Sequence, residues 1–279
     1  MKVGVIGMGT MGGGIAQQFT ASGFDVVVKG RSQASLDQGK AAMEKRLARS
    51  VEKGKLSEAD RDAQLARVRY VSDIQELADC DLIVESIRED MASKKEFFSA
   101  LNELDLKDTI IATNTSSLSI TELSMQYRYP EKVIGMHFFN PVTAMKLVEV
   151  IRGVATTDEV NDRIVEISAQ LGKTPVQVQE APGFVVNRIL IPMINEAVGI
   201  YAEGIASAAD IDTAMKLGAN HPMGPLELGD LIGLDVCLSV MDVLYEEFGD
   251  SKYRAHSLLR KMVRGNQLGR KTKRGFYNY

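Results

Sequence analysis

The sequence predicts an α/β protein in which a Rossmann-type, doubly wound sheet is followed by an all-helical domain. Three observations predict this fold. Residues 2–6 form an apolar run of strand length that leads through a glycine-rich turn into a helical pattern. Short apolar strands then alternate with helical segments as far as residue 180. After Gly183 only helical patterns follow, so we expect one domain over residues 1–182 and a second over residues 183–279.

The turn after the first strand carries three glycines at the spacing G-x-G-x-x-G, namely Gly7, Gly9 and Gly12. In a dinucleotide-binding turn the first glycine allows the tight bend, the second lets the backbone approach a pyrophosphate, and the third lets the helix pack closely on the strand. The N-terminus of the helix then points unpaired N–H groups at the phosphates. We expect these glycines, with Thr10 and Met11, to bind a dinucleotide; a purely structural turn is the alternative.

The end of the second predicted strand, residues 24–28, indicates which dinucleotide binds. A NAD site would place an Asp or Glu here to accept hydrogen bonds from the adenosine ribose. The sequence instead has Gly30, Arg31 and Ser32. A glycine leaves room, and a guanidinium with a hydroxyl can hold a 2′-phosphate through charge-assisted hydrogen bonds. We therefore predict NADP(H), with NAD(H) as the alternative; solvated loop charges would be the non-functional interpretation.

Composition and charge exclude several classes of protein. A formal net charge of −4 gives no reason to expect nucleic acid or an anionic membrane as a partner. No run of 18 apolar residues predicts a transmembrane helix, and the N-terminus lacks a secretory apolar segment. Cys80 and Cys237 lie far apart, and the cysteines and three histidines show no metal-ligand spacing. We expect a cytoplasmic protein with buried thiols and no metal.

The long helix predicted from Ser32 to about Lys53 has one cationic face. Lys45, Arg49 and Lys53 recur every four residues and therefore project from the same side. One interpretation is an ordinary solvated face, and the other is a site for a phosphorylated substrate.

A polar cluster, residues 113–117, follows the apolar strand predicted over residues 109–112. The carboxyl end of a sheet strand is where open α/β folds bind ligands, which favours a functional role. A simple cap for the helix starting near Ser119 is the alternative.

His137 and Glu149 lie on two predicted strands that are joined by a short connection containing Pro141. They are 12 residues apart, so a folded-back pair of strands would bring them together. Such a pair is suited to acid–base catalysis, although a neutral core histidine beside an unrelated glutamate is the more common situation.

The second domain is predicted to contain four helices separated by glycine and proline. They are predicted over residues 185–202, 208–217, 225–247 and 253–264. Because these helices carry so much apolar surface, we expect the domain to form a homodimer interface.

Taken together, the motifs resemble the short-chain L-3-hydroxyacyl-CoA dehydrogenase family from one end of the chain to the other. The motifs beyond the glycine turn are the more specific ones, and they occupy residues 114–120, 135–141, 146–151, 181–188, 219–226 and 275–277. The resemblance implies a Rossmann domain, a helical dimerisation domain and an active site in the cleft between them. It also implies an oxidoreductase of fatty-acid or butyrate metabolism that interconverts acetoacetyl-CoA and 3-hydroxybutyryl-CoA.

The resemblance further implies the catalytic roles. His137 matches the family's catalytic base, and Glu149 matches the carboxylate that orients it. Ser116 and Asn187 match the residues that hydrogen-bond the reacting oxygen.

Binding roles follow from the same resemblance. Glu89, Lys94 and Asn114 match positions on the nicotinamide side of the cofactor. The cationic helix face falls where the family approaches the phosphates of CoA. Gly30 is a departure, because the family has an acid at this position and prefers NAD.

Two other functions are compatible with parts of the pattern. A β-hydroxyacid dehydrogenase acting on a free acid has a similar architecture but lacks the His–Glu pair and generally depends on a lysine. A non-catalytic cofactor-binding protein is the second alternative, and the presence of all four candidate catalytic residues disfavours it.

Overall fold

An eight-stranded sheet forms the centre of the first of two units in the chain. The computed structural model describes residues 1–279 and separates Met1–Glu180 from Ala181–Tyr279. The strands are β1 (Lys2–Ile6), β2 (Asp25–Lys29), β3 (Val68–Val71), β4 (Leu82–Glu85), β5 (Ile110–Thr113), β6 (Val133–Phe138), β7 (Leu147–Arg152) and β8 (Thr174–Gln179). Their order is β3-β2-β1-β4-β5-β6-β7-β8, and only β6 and β7 pair antiparallel. The chain therefore reverses its winding between β1 and β4, where doubly wound sheets bind ligands.

Burial explains why the strands are so apolar. Every residue of β4, β5 and β6 is buried, as expected for interior strands covered on both faces. Phe19 and Ile164 are fully buried in the core that covers these strands.

Six helices connect the strands of this unit. They are α1 (Thr10–Ala21), α2 (Gln33–Glu52), α3 (Glu58–Ala66), α4 (Met91–Ala100), α5 (Ile120–Ser124) and α6 (Asp158–Gln170). The side chains of Ser32, Ser57 and Asp90 cap α2, α3 and α4. Helix α1 begins differently, because Gly9 is its N-cap and provides no side-chain hydrogen bond. The first N–H groups of α1 therefore need another partner.

The second unit is all-helical. Its helices are α7 (Val186–Ala202), α8 (Ala208–Gly218), α9 (Pro225–Ile232), α10 (Leu234–Phe248) and α11 (Ser257–Arg264). The predicted fold class is thereby confirmed. None of the helices combines the length and the apolar character that crossing a bilayer requires.

Two helix predictions in this unit were wrong. The segment 225–247 is two helices, because Gly233 has φ 107° and ψ 123°, a conformation outside the helical region. The last helix begins at Ser257 instead of Tyr253, because His256 caps it by accepting a hydrogen bond from the Leu258 N–H.

Candidate active site

The glycine turn has the geometry that a dinucleotide requires. Gly7 has φ 94°, and a Cβ there would lie 2.5 Å from the carbonyl oxygen of Ser86. A Cβ on Gly12 would lie 2.0 Å from the carbonyl oxygen of Gly7, so β1 and α1 approach as closely as their backbones allow. Nothing lies within 4 Å of a Cβ on Gly9. The exposed backbone at Gly9 and the uncapped N-terminus of α1 therefore fit a pyrophosphate.

A cleft of about 1010 Å³ opens at this turn, at the carboxyl ends of the neighbouring strands. Most of the predicted cofactor residues line it: Gly7, Gly9, Thr10, Met11, Gly30, Arg31, Glu89 and Asn114, together with Ser116. Gly12, Ser32 and Lys94 do not line it. The size of the cleft and its position at the switch point suit a dinucleotide.

The end of β2 differs in detail from the sequence interpretation. Ser32 forms a capping box with Ser35: its hydroxyl accepts from the Ser35 N–H at 3.3 Å, and its own N–H donates to Ser35 Oγ at 3.1 Å. Ser35 and Gln38 line the cleft beside Arg31, whereas Ser32 does not. The sequence reasoning missed both, because their exposure to the cleft depends on how α2 starts.

The cationic face of α2 is exposed, as the spacing predicts. Lys45 and Arg49 lie on α2 and Lys53 is its C-cap, and all three are exposed. Arg46, half-buried at the edge of this face, donates to Gly13 O at 3.1 Å and to Gln17 Oε1 at 2.9 Å. Arg46 therefore ties α2 to α1 and fixes the cationic face relative to the glycine turn.

A buried ion pair lies beneath the ends of β4 and β5. Lys94 Nζ donates to both carboxylate oxygens of Glu85, at 2.7 and 2.9 Å, and both side chains are essentially inaccessible. Glu85 also accepts from the Ile87 N–H and the Thr113 hydroxyl, each at 2.7 Å. Its hydrogen-bonding capacity is filled, as a buried carboxylate requires. Lys94 is thus part of the interior instead of the cleft wall, and Glu85 was missed by the sequence reasoning.

Glu89 connects this pair to the polar cluster after β5. Its Oε2 lies 3.4 Å from Lys94 Nζ, while its Oε1 accepts from the Thr115 hydroxyl and the Ser116 N–H, each at 2.7 Å. Desolvation raises the pKa of Glu89, but the charge of Lys94 and the hydrogen bonds from Thr115 and Ser116 outweigh it, so the pKa lies below its usual value. Glu89 is therefore ionised at neutral pH.

His137 and Glu149 form a buried pair on the two antiparallel strands. They are directly opposite in the register of β6 and β7. His137 Nδ1 lies 2.8 Å from Glu149 Oε2, and the side chains are 7% and 1% exposed. A carboxylate at Nδ1 favours the tautomer that leaves Nε2 unprotonated in the neutral ring. The folded-back arrangement predicted from the 12-residue separation is present.

Asn114 and Asn187 occupy different parts of the chain. Asn114 Oδ1 accepts from the Phe138 N–H at 2.8 Å, which joins the end of β5 to the residue after His137. Asn187 belongs to the second unit, in the first turn of α7.

Comparison with known proteins identifies the family. Residues 2–181 match the family model described as 3-hydroxyacyl-CoA dehydrogenase, NAD binding domain, and residues 183–279 match the corresponding C-terminal domain. The chain belongs to the 3-hydroxyacyl-CoA dehydrogenase family. The resemblance drawn from the motifs is confirmed, and with it the assignment to oxidoreductases acting on a CH–OH group.

Individual relatives match over their whole length. The chain is 60% identical to a 3-hydroxybutyryl-CoA dehydrogenase of Clostridioides difficile, over 100% of this chain and 99% of the relative. It is 52% identical to a probable 3-hydroxybutyryl-CoA dehydrogenase of Deinococcus radiodurans, with both chains fully covered. The crystal structure of (S)-3-hydroxybutyryl-CoA dehydrogenase from Ralstonia eutropha superposes with a TM-score of 0.96 at 47% identity, covering 100% of this chain and 98% of that one.

Proposed function

We propose that the protein is a 3-hydroxybutyryl-CoA dehydrogenase that transfers hydride reversibly between NADP(H) and C3 of the acyl group. The single observation that carries the proposal is the buried His137–Glu149 pair, an acid–base pair already in hydrogen-bonding contact. The names of the similar proteins support the acyl-CoA substrate.

His137 is proposed to move the proton. With Nδ1 held by Glu149, neutral His137 removes the proton of the C3 hydroxyl through Nε2 during oxidation. In the direction of reduction the imidazolium returns that proton to the developing alkoxide. Glu149 stabilises the charged ring and fixes its orientation, as a carboxylate does for other histidine bases. The nicotinamide, when bound, supplies or accepts the hydride.

Ser116 and Asn187 are proposed to stabilise the charge that develops on the reacting oxygen. Both are neutral hydrogen-bond donors, so they stabilise the alkoxide without adding a charge beside His137. The loss of one such donor costs on the order of 3 kcal/mol in the activation barrier.

The preference for NADP(H) is proposed from the end of β2. Gly30 and Arg31 line the cleft where a NAD site would have a carboxylate, and Ser35 and Gln38 add polar side chains beside them. Arg31 is exposed and can reach a 2′-phosphate with a charge-assisted hydrogen bond. We assign this part of the cleft to the 2′-phosphate, and the exposed residues Lys45, Arg49 and Lys53 to the phosphates of CoA.

A paired rate measurement tests this function. We expect reduction of acetoacetyl-CoA to be faster with NADPH than with NADH, followed by nicotinamide absorbance. His137→Gln should lower kcat on the order of 10²–10⁴-fold while NADPH still binds. Near-wild-type turnover in this variant would contradict the role of His137. Equal activity on free acetoacetate would favour the β-hydroxyacid dehydrogenase alternative, and no turnover of either substrate would favour a non-catalytic protein.

A further inference from the structure

The buried ion pair beneath β4 and β5 has no place in the proton-transfer chemistry, although it lies next to the candidate site. Lys94 and Glu85 are 1% and 0% exposed. Burying two charges is costly, and a pair of well-packed apolar residues would often be at least as stable. Lys94 also has a second anionic partner outside the buried pair.

Glu89 is that partner, and its two carboxylate oxygens face different groups. Oε2 faces Lys94 Nζ at 3.4 Å. Oε1 faces the segment after β5, where it accepts from the Ser116 N–H at 2.7 Å and the Ser117 N–H at 3.2 Å. The Ser116 hydroxyl also lies 3.2 Å from this oxygen. One carboxylate thus links the buried cation to the backbone N–H groups of Ser116 and Ser117.

We propose that Glu85 and Lys94 are positioning residues, which hold Glu89 so that it orders the Ser116 segment before any ligand binds. Glu85 fixes the ammonium group of Lys94 through both oxygens, and Lys94 keeps Glu89 charged and directed at the segment. The Ser116 N–H and hydroxyl are then held in one place. The consequence for catalysis rests on the proposed function, because Ser116 is the proposed donor to the reacting oxygen.

The decisive variant removes both buried charges together. Lys94→Met alone would leave Glu85 buried without its cation, which destabilises a protein strongly. Glu85→Gln/Lys94→Met keeps both side chains at similar length and leaves no unpaired ion at either substituted position. Glu89 loses its cation in this variant, while its own side chain and the Ser116 segment are unchanged.

Amide hydrogen exchange of residues 113–119 in the ligand-free protein is the measurement. We expect the Ser116 and Ser117 amides of Glu85→Gln/Lys94→Met to exchange at least about tenfold faster than in the wild type, which corresponds to about 1.4 kcal/mol of local stability. Glu89→Gln should accelerate the same two amides. Thermal unfolding of the double variant should stay close to that of the wild type.

Thr109→Val is the matched control. Thr109 is buried just before β5, and its hydroxyl donates to Cys80 O at 2.7 Å. The variant removes a buried hydrogen bond at the opposite end of β5, so it tests general loosening of the strand. We expect no acceleration at Ser116 or Ser117. Wild-type exchange in the double variant, or equal acceleration in Thr109→Val, would overturn the proposal.

Kinetics separate this inference from the proposed function. With acetoacetyl-CoA, the double variant should lose at least about tenfold in kcat, with a smaller change in KM, because a misplaced donor weakens the transition state more than substrate binding. If the wild type does not turn over acetoacetyl-CoA, the proposed function fails. The exchange experiment on the ligand-free protein still decides whether Glu85 and Lys94 position the segment.

Discussion

Glu149 is buried and contacts the ring nitrogen of His137 that does not face the reacting oxygen in the proposed mechanism. In that mechanism its carboxylate, 2.8 Å from His137 Nδ1, holds the ring in one tautomer and stabilises the imidazolium. We expect Glu149→Gln to lower kcat on the order of 10²–10⁴-fold, because the amide neither carries the charge nor enforces the tautomer. Steady-state kinetics check this, and circular dichroism checks the fold.

The control for Glu149 is Glu159→Gln, which removes one carboxylate from the exposed start of α6. Its kcat should equal that of the wild type. A fully active Glu149→Gln variant would remove the pair from the mechanism.

Gly30 lacks a side chain for two physical reasons. A Cβ there would lie 2.6 Å from Cγ and Cδ2 of the buried Leu36. Under the proposed preference for NADP(H), a carboxylate here would also repel the 2′-phosphate. We expect Gly30→Asp to destabilise the protein by about 1–3 kcal/mol through overpacking. It should also shift the NADPH/NADH ratio of kcat/KM at least about tenfold toward NADH, since like-charge contacts cost several kcal/mol.

Gly30→Ala separates these two effects. It introduces the same steric conflict with Leu36 but no charge, so it should lose similar stability and keep the cofactor ratio of the wild type. The explanation by charge is refuted if both variants change the ratio equally, or if neither does.

Among the helices, the junction of α9 and α10 depends on one backbone conformation. Gly233 has φ 107°, which strains any residue with a Cβ. We expect Gly233→Ala to lower the free energy of unfolding by about 1–3 kcal/mol, as measured by urea denaturation. Gly218→Ala, at the end of α8, is the control: no atom lies within 4 Å of a Cβ there, so the change should stay below about 1 kcal/mol. Equal losses in both variants would contradict the argument.

The same junction shows what sequence patterns can predict. The apolar periodicity continues through Gly233, and an isolated glycine is tolerated inside a helix, so the pattern predicted one helix. The break depends on a distant contact, in which the Leu234 N–H donates to Leu268 O at 3.2 Å. The strands were easier to predict, because complete burial of β4, β5 and β6 imposes a continuous apolar run.

The residues of the candidate site also differ in whether the sequence alone could predict their contacts. The glycine turn is recognised from the spacing of three nearby residues. The His137–Glu149 contact follows from the pairing of two strands that are adjacent in sequence. Both features could therefore be predicted from the sequence. The Glu85–Lys94 pair could not, because it joins the end of a strand to the first turn of a helix nine residues later. Glu85 therefore appears in the sequence only as the last residue of β4. Its role becomes visible once the helix is packed against the sheet.

For the whole chain, the two units have separate apolar cores, so we expect the first to fold alone. A fragment of residues 1–182 should bind NADPH, because the glycine turn and the cleft lie within it. It should not reduce acetoacetyl-CoA, because Asn187 is missing. Nicotinamide fluorescence measures binding, and full-length His137→Gln serves as the reference for an inactive protein that still binds. Turnover by the fragment would exclude Asn187 from the reaction.

The exposed apolar side chains are unevenly distributed between the units. Ten of the fifteen large ones belong to the second unit, among them Leu217, which is 83% exposed, and Ile189, which is 68% exposed. A contiguous exposed apolar patch marks an interaction site, and we propose that these side chains face a second copy of the chain.

Sedimentation velocity tests this assembly. We expect the wild type to be a dimer, and Ile189→Glu/Leu217→Glu to weaken it at least about 30-fold, since burying a charge in an apolar interface costs about 2 kcal/mol or more. Val154→Glu is the control, because Val154 is 88% exposed but lies in the first unit. A monomeric wild type, or a double variant that dimerises as tightly as Val154→Glu, would contradict the proposal.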